Sequence, residues 1–236
     1  MTHETTVRDI AVAHPASVRV FEKYRIDFCC NGRRPLRAAC LEAGVALEDI
    51  LREIQAAEQS EDAPVEDWAQ APVSGLAAHI VKRHHEYLYR ELPQIEARLE
   101  KVVANHGKPQ PWLEDINKEF KRLRQELREH LEKEEEILFP YLRSLEAGEP
   151  PTPCFASIAV PIAGMVAEHE NASAALAAIR RLSGGYEAPE GGCPGFRALM
   201  HDLAALEADV RQHLHLENNI LFPRAIELDT EARTRD

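Results

Sequence analysis

Two segments of the 236-residue chain share one pattern: "HLEKEEEILFP" runs from His130 to Pro140 and "HLHLENNILFP" from His213 to Pro223. In each, a histidine and a glutamate stand four residues apart, His130 with Glu134 and His213 with Glu217. On a helix that spacing puts both side chains on one face, one turn apart. Imidazole nitrogen and carboxylate oxygen are donors to first-row metals, so the repeated pair reads first as metal-binding chemistry. One HxxxE match would carry little weight, and the repetition goes further. His85 precedes His130 by 45 residues and His169 precedes His213 by 44; the first and third histidines are 84 residues apart, the second and fourth 83.

Four helical stripes must carry these histidines. The first, near 74–100, runs through Val81, His85, Leu88 and Leu92; the second, near 112–145, through Ile116, Phe120, Leu123, Leu127, His130, Glu134, Ile137 and Tyr141. The third, near 158–182, runs through Ile162, Met165, His169, Ala172, Leu176 and Ile179, and the fourth, near 196–228, through Leu199, Leu203, Leu206, Val210, His213, Glu217 and Ile220. The connections "NHGKPQP", "EAGEPPTPC" and "SGGYEAPEGGCPG" end helices and are long enough to reverse the chain. The expected architecture is an up-down-up-down four-helix bundle built as two tandem hairpins related by a pseudo-twofold.

That symmetry brings six inward polar groups face to face. Two buried carboxylates would cost several kcal/mol each without a compensating positive charge, and no lysine or arginine lies on the stripes at that depth. A bound metal meets the need. One zinc would use four of the six groups and strand two, whereas two metals can each take two imidazoles while Glu134 and Glu217 bridge them. Positions then stay open for oxo, hydroxide or a diatomic ligand, which favours iron, with manganese as its nearest competitor.

The neighbouring residues have plainer readings. Glu132, Glu135 and Glu136 fall on the outward phase and read as solvated. Pro140 and Pro223 are expected to kink the second and fourth helices just beyond the metal layer. His84 competes with His85, which keeps the apolar phase better; His79, His201 and His215 read as supporting or surface residues. The HExxH zinc-protease pattern is absent.

Upstream, residues 1–58 form short helices separated by turns, too few to bury much core alone; 59–73 is an acidic, proline-bearing linker, and the bundle spans 74–236 with Ser74 as a helix N-cap. The fold class is therefore all-α, a small helical N-terminal domain followed by a bundle. A net charge of −12 disfavours nucleic acid, and with no secretory leader and no run of about 18 apolar residues the reading is a cytoplasmic protein without membrane association. Five cysteines, two of them adjacent (Cys29 and Cys30), argue against a disulfide framework. Cys29 and Cys30 precede an Asn-Gly turn, and small buried side chains are as good an account of them as redox duty; Cys40, Cys154 and Cys193 give no signal.

Taken together, "DFCCNG", "RHHEYLYRELP", "HLEKEEEILFP", "EHE" and "HLHLENNILFP" resemble the iron–sulfur cluster repair di-iron proteins, the RIC family, whose C-terminal part is hemerythrin-like. The likeness covers nearly the whole chain. It implies a non-heme centre of two iron ions, oxo- or hydroxo-bridged, on His85, His130, His169 and His213 with bridging Glu134 and Glu217, and a transfer or redox part for Cys29 and Cys30. It departs at His84, where the family usually has an aromatic residue, which leaves His84 and His85 both in view. The implied role is repair of clusters damaged by nitric oxide or peroxide, with damaged or apo cluster proteins as partners, NO or O₂ as small ligands and a homodimer permitted. A repair or iron-donor protein need not be an enzyme. The alternatives are an NO or peroxide oxidoreductase and a reversible O₂ or NO sensor.

Overall fold

A computed structural model describes residues 4–59, 68–149 and 157–235. The expected linker falls largely outside them, as do Cys154 and part of the connection that contains it. Among the described residues the fold is all-α, with no strand beyond an isolated bridge between Thr6 and Pro35. The chain divides into two compact units: residues 1–72 with 214–224, and residues 73–213 with 225–236.

The first unit holds α1 (Val7–Ala13), α2 (Ser17–Lys23), α3 (Leu36–Ala43) and α4 (Leu47–Glu58). Its helices are short because each is stopped by local chemistry. Thr6 caps α1 by accepting from the Asp9 amide, and Gly44, at φ +68°, ends α3 in a left-handed turn open only to a residue without a Cβ penalty. Such short helices hold only through tertiary packing, here on Val7, Ile10, Phe21, Ile26, Phe28, Leu36, Ile50 and Ile54, all buried. The segment Leu214–Arg224 supplies further core to this unit through Leu214, Leu221 and Phe222.

In the second unit lie the long helices of the bundle, apart from Leu214–Arg224 of the last of them. α5 (Val73–Ile80) continues through a π-helical turn, Val81–His85, into α6 (Glu86–His106). α7 (Trp112–Lys133) continues through a π turn, Glu134–Leu138, into α8 (Phe139–Glu146), and α9 (Ala159–Leu182) is uninterrupted. α10 (Pro194–His215) passes through a third π turn, Leu216–Leu221, into α11 (Phe222–Arg235). α7 packs on both α6 and α9. The apolar stripe of α9 is buried as the spacing requires, and so is that of α7 up to Glu134.

Beyond Glu134 the phase changes. A π turn spends an extra residue per turn and rotates the helix downstream of it, so Ile137, expected inside, is 46% exposed while Leu138 is buried. The same effect leaves Val81 half-buried. Pro140 and Pro223 stand just after their π turns, and it is these turns, rather than the prolines alone, that break the α-helical path. Ser74 is not the helix cap: α5 starts at Val73, and the carboxylate of Glu146 accepts from the amides of Val73 (2.8 Å) and Ser74 (3.1 Å).

Asp229 ties the loop-side end of the bundle. It accepts from the Tyr141 hydroxyl (2.6 Å), the Ile158 amide (3.1 Å) and the Arg233 guanidinium (2.9 Å). Burial alone would raise its carboxyl, but the hydrogen bonds from Arg233, Tyr141 and Ile158 outweigh it and hold the group below its ordinary value. Its stabilising share is therefore full above the unfolded carboxyl's pKa, about 4, and is lost as pH falls through the lower folded value. Asp229→Asn should destabilise the fold by roughly 1–3 kcal/mol at neutral pH. The gap from wild type should narrow below about pH 4, as urea unfolding followed by circular dichroism will read.

Candidate metal centre

The four histidines and two glutamates named from the sequence converge. His85 (0%), His130 (3%), Glu134 (0%), His169 (1%), His213 (0%) and Glu217 (0%) are as buried as the leucines around them. They form two overlapping groups: His85, Glu134, His213 and Glu217 in one, His130, Glu134, His169 and Glu217 in the other, with donor atoms within 4.8 Å of each other in each. Both glutamates belong to both groups.

The geometry pairs the imidazoles. Nε2 of His130 lies 2.9 Å from Nε2 of His169, and Nε2 of His85 lies 3.3 Å from Nε2 of His213. The two oxygens of Glu134 divide between them: Oε1 is 3.3 Å from His130 Nε2, while Oε2 is 3.4 Å from His85 Nε2 and 3.9 Å from His213 Nε2. Two nitrogens on adjacent positions of an octahedral ion, with bonds of about 2.1 Å, stand about 3 Å apart, so the observed pairs already have the spacing of ligands.

Two further carboxylates set the rings. Glu135 accepts from Nδ1 of His85 (2.8 Å) and Glu168 from Nδ1 of His130 (2.7 Å). With the ring proton held on Nδ1, the Nε2 lone pair is directed to the shared centre, the arrangement that metal-ligating histidines require. Glu168 also pairs with Lys133. Burial pushes its carboxyl up, yet the hydrogen bonds from Lys133 and His130 prevail and keep it ionised below the ordinary range. Glu135 is thus not simply a solvated residue. The π turn, invisible to a 3.6-residue count, aims it at His85.

The same backbone device settles the place of His84. The turn Val81–His85 buries both adjacent histidines, but only His85 enters the cluster. His84 directs Nδ1 to Asp209 (3.2 Å) and lies flat on the His213 ring, with centroids 5.5 Å apart and planes 8° apart. Phe139 stacks on His85 in turn, at 5.7 Å.

Cys29 and Cys30 sit in a turn organised by Asp27, whose Oδ1 accepts from both amides at 3.1 Å. Gly32 is required there, since a Cβ would meet the Phe28 carbonyl at 2.9 Å. Cys29 is buried and Cys30 half-buried; with Cys40 and Cys193 they are thiols, not disulfides. Within the same unit, Asn219 donates to the Phe28 carbonyl (2.8 Å) and Asn218 to that of Cys29 (3.1 Å). His215 is neither surface nor part of the cluster: it is buried against Phe28, accepts from Asn219 (2.8 Å), and burial together with Arg8 lowers it to about 4. The one available signal for these residues lay in the repeat, where Asn218 and Asn219 replace the acids Glu135 and Glu136 of the first copy. His201 is exposed and His79 half-buried.

A buried set of imidazoles and carboxylates inside a helical bundle defines a cation-binding helical protein. The chain belongs to the hemerythrin family: residues 76–225 match the Hemerythrin HHE cation binding domain, and residues 3–58 match a Domain of Unknown function (DUF542). Over 217 residues, 92% of this chain and 94% of the relative, it is 31% identical to the Iron-sulfur cluster repair protein YtfE of Yersinia pseudotuberculosis serotype IB (strain PB1/+). It is similar to the same extent to the protein of that name from Yersinia pestis (strain Pestoides F). The donor set fits iron, and no helix among the described residues is long and apolar enough to cross a membrane.

Replacing Glu168 by Gln removes the charged acceptor on His130 without touching a donor atom of the cluster. Metal affinity, read by chelator competition, should fall about 10- to 100-fold with helicity unchanged. Wild-type affinity in that variant would strip Glu168 of its positioning part.

Proposed function

We propose that the protein holds two iron ions on His85, His130, His169, His213, Glu134 and Glu217, and that it repairs damaged iron–sulfur clusters by supplying iron from this centre. The observation that carries the reading is the division of Glu134, one oxygen toward His130 and the other toward His85 and His213, which is how a bridging carboxylate must sit. The similarity to proteins named for cluster repair, spread over both domains, supports the role.

Iron bound here would supply a redox-active pair with positions left open to oxide, O₂ or NO, because six protein donors do not saturate two such ions. The chain's own residues do the rest. Glu135 and Glu168 hold the ring protons on Nδ1, Phe139 covers the His85 ring, and the full burial of Glu134 and Glu217 keeps bulk water from them. Imidazole and carboxylate hold iron less firmly than a thiolate cage, so the metal can be passed to proteins whose clusters are damaged or missing. Of the two adjacent thiols, half-buried Cys30 is the better placed to assist, while Cys29 is buried in the turn that Asp27 orders.

Purified protein should contain two irons per chain and show oxo-to-iron charge-transfer absorption, and Glu134→Leu, Glu217→Leu should lose both. Loading the protein with labelled iron and adding an enzyme with a damaged cluster tests the transfer. Label should appear in the reactivated enzyme; reactivation without it would refute donation and leave catalytic removal of NO or peroxide. Chelation of the metal should also lower the melting temperature, since the buried carboxylates would then lack their counter-charge.

A further inference from the structure

Cys193 is the last residue before α10, and Nε2 of His106, the last residue of α6, stands 3.3 Å from its Sγ. Both partners are held in place. The Cys193 carbonyl accepts from the amides of Phe196 (3.0 Å) and Arg197 (3.1 Å), and the buried Phe196 ring meets His106 edge-on at 5.5 Å and Trp112 at 5.9 Å. His106 follows His85 by 21 residues and Cys193 precedes His213 by 20. At 1.5 Å per helical residue the pair lies roughly 30 Å along the bundle from the metal centre, so it takes no part in that site.

The thiol and the imidazole line a cavity of about 300 Å³ together with Gln94, Arg98, Lys101 and Asn105, and no acid is among the lining residues. Arg98 is matched by Asp202 (2.7 Å), whereas Lys101 is exposed and makes no ion pair among the described residues. The cavity wall is therefore positive beside a nucleophile. The side-chain amides of Gln94 and Asn105 donate to the carbonyls of Arg90 (3.1 Å) and Lys101 (2.9 Å), which leaves their oxygens as acceptors. Lys101 suits a carboxylate and these oxygens an ammonium group, while a thiol beside a base suits an electrophilic sulfur.

We infer that Cys193 is a thiol–disulfide exchange site, and that its ligand is a small disulfide whose arms bear carboxylate and ammonium groups. His106 takes the thiol proton and Sγ attacks one sulfur of the disulfide. An Sγ–S bond forms as the S–S bond breaks, and the departing thiolate recovers the proton from the imidazolium. Cys193 is thereby oxidised to a mixed disulfide and the ligand is reduced to one thiol, with no other reagent consumed. Cys30 is half-buried like Cys193 but lies beside the Asp27 carboxylate, and Cys29 and Cys40 are buried.

The test mixes the full-length iron-loaded protein with oxidised glutathione, quenches with acid and digests with trypsin, which places Cys193 as the one cysteine of the peptide 182–197. Mass spectrometry should find the glutathionyl group on that peptide sooner than on the peptide holding Cys29 and Cys30. Lys101→Glu should slow this modification about fivefold and leave that by the uncharged disulfide of mercaptoethanol unchanged. His106→Gln should slow both probes roughly tenfold with helicity preserved. Should His106→Gln fold poorly, the exposed Lys101 variant still decides. Equal rates at the two peptides, or a Lys101→Glu protein in which both probes slow alike or neither slows, overturns the inference. A folded His106→Gln protein that reacts at the wild-type rate overturns the part given to His106.

Discussion

Burial of two carboxylates among leucines is the constraint on which the fold turns. Glu134 and Glu217 are withdrawn from solvent as completely as Leu131 and Leu88, and a charge so placed is tolerated only beside a compensating one. The groups that the cluster sets against the acids are imidazoles, with the carboxylates of Glu135 and Glu168 outside them. A metal or protons on the rings would supply that charge, and the hydrogen bonds from Nδ1 to Glu135 and Glu168 leave Nε2 turned to the acids in the way a metal site needs. Packing, loop length and helix phase then serve as means of bringing these groups to one place.

Duplication explains the first-order arrangement, and its decay explains the rest. The two HxxxE copies present the same two donors, yet the residues just after the glutamates have parted ways. Glu135 in the first copy accepts from the His85 ring, whereas Asn218 in the second donates to the backbone of the paired-cysteine turn. The spare positions of a repeat were free to take on separate tasks, since the bundle needs only the inward phase to be kept.

Much of this is legible in the amino-acid sequence because it depends on periodicity. The all-α class, the four apolar stripes and the six converging donors all come from counting by 3.6, and α9, which has no π turn, keeps that count from Ile162 to Ile179. The illegible part is where the count fails. A π turn has no composition of its own, so an unbroken 3.6-residue period puts Ile137 inward and Glu135 outward, and sets His84 against His85 when both are buried. The cap on α5 is hidden for a different reason: Glu146 lies some seventy residues from the amides it satisfies, and no local pattern announces such a partner.

Each π turn amounts to one residue of slack taken up by widening the coil. Since the slack lies at His85, Glu134 and Glu217 in three of the bundle's four helices, the stretch before it and the stretch after it are indexed independently. Trimming a single residue between 134 and 138 would restore the ordinary coil, and because the widened turn spends one residue more over nearly the same rotation, α8 would keep close to its present bearing. Phe139 would stay on the His85 ring and Tyr141 on Asp229, whereas trimming one residue from the unbroken α9 would turn everything beyond the cut by about a hundred degrees.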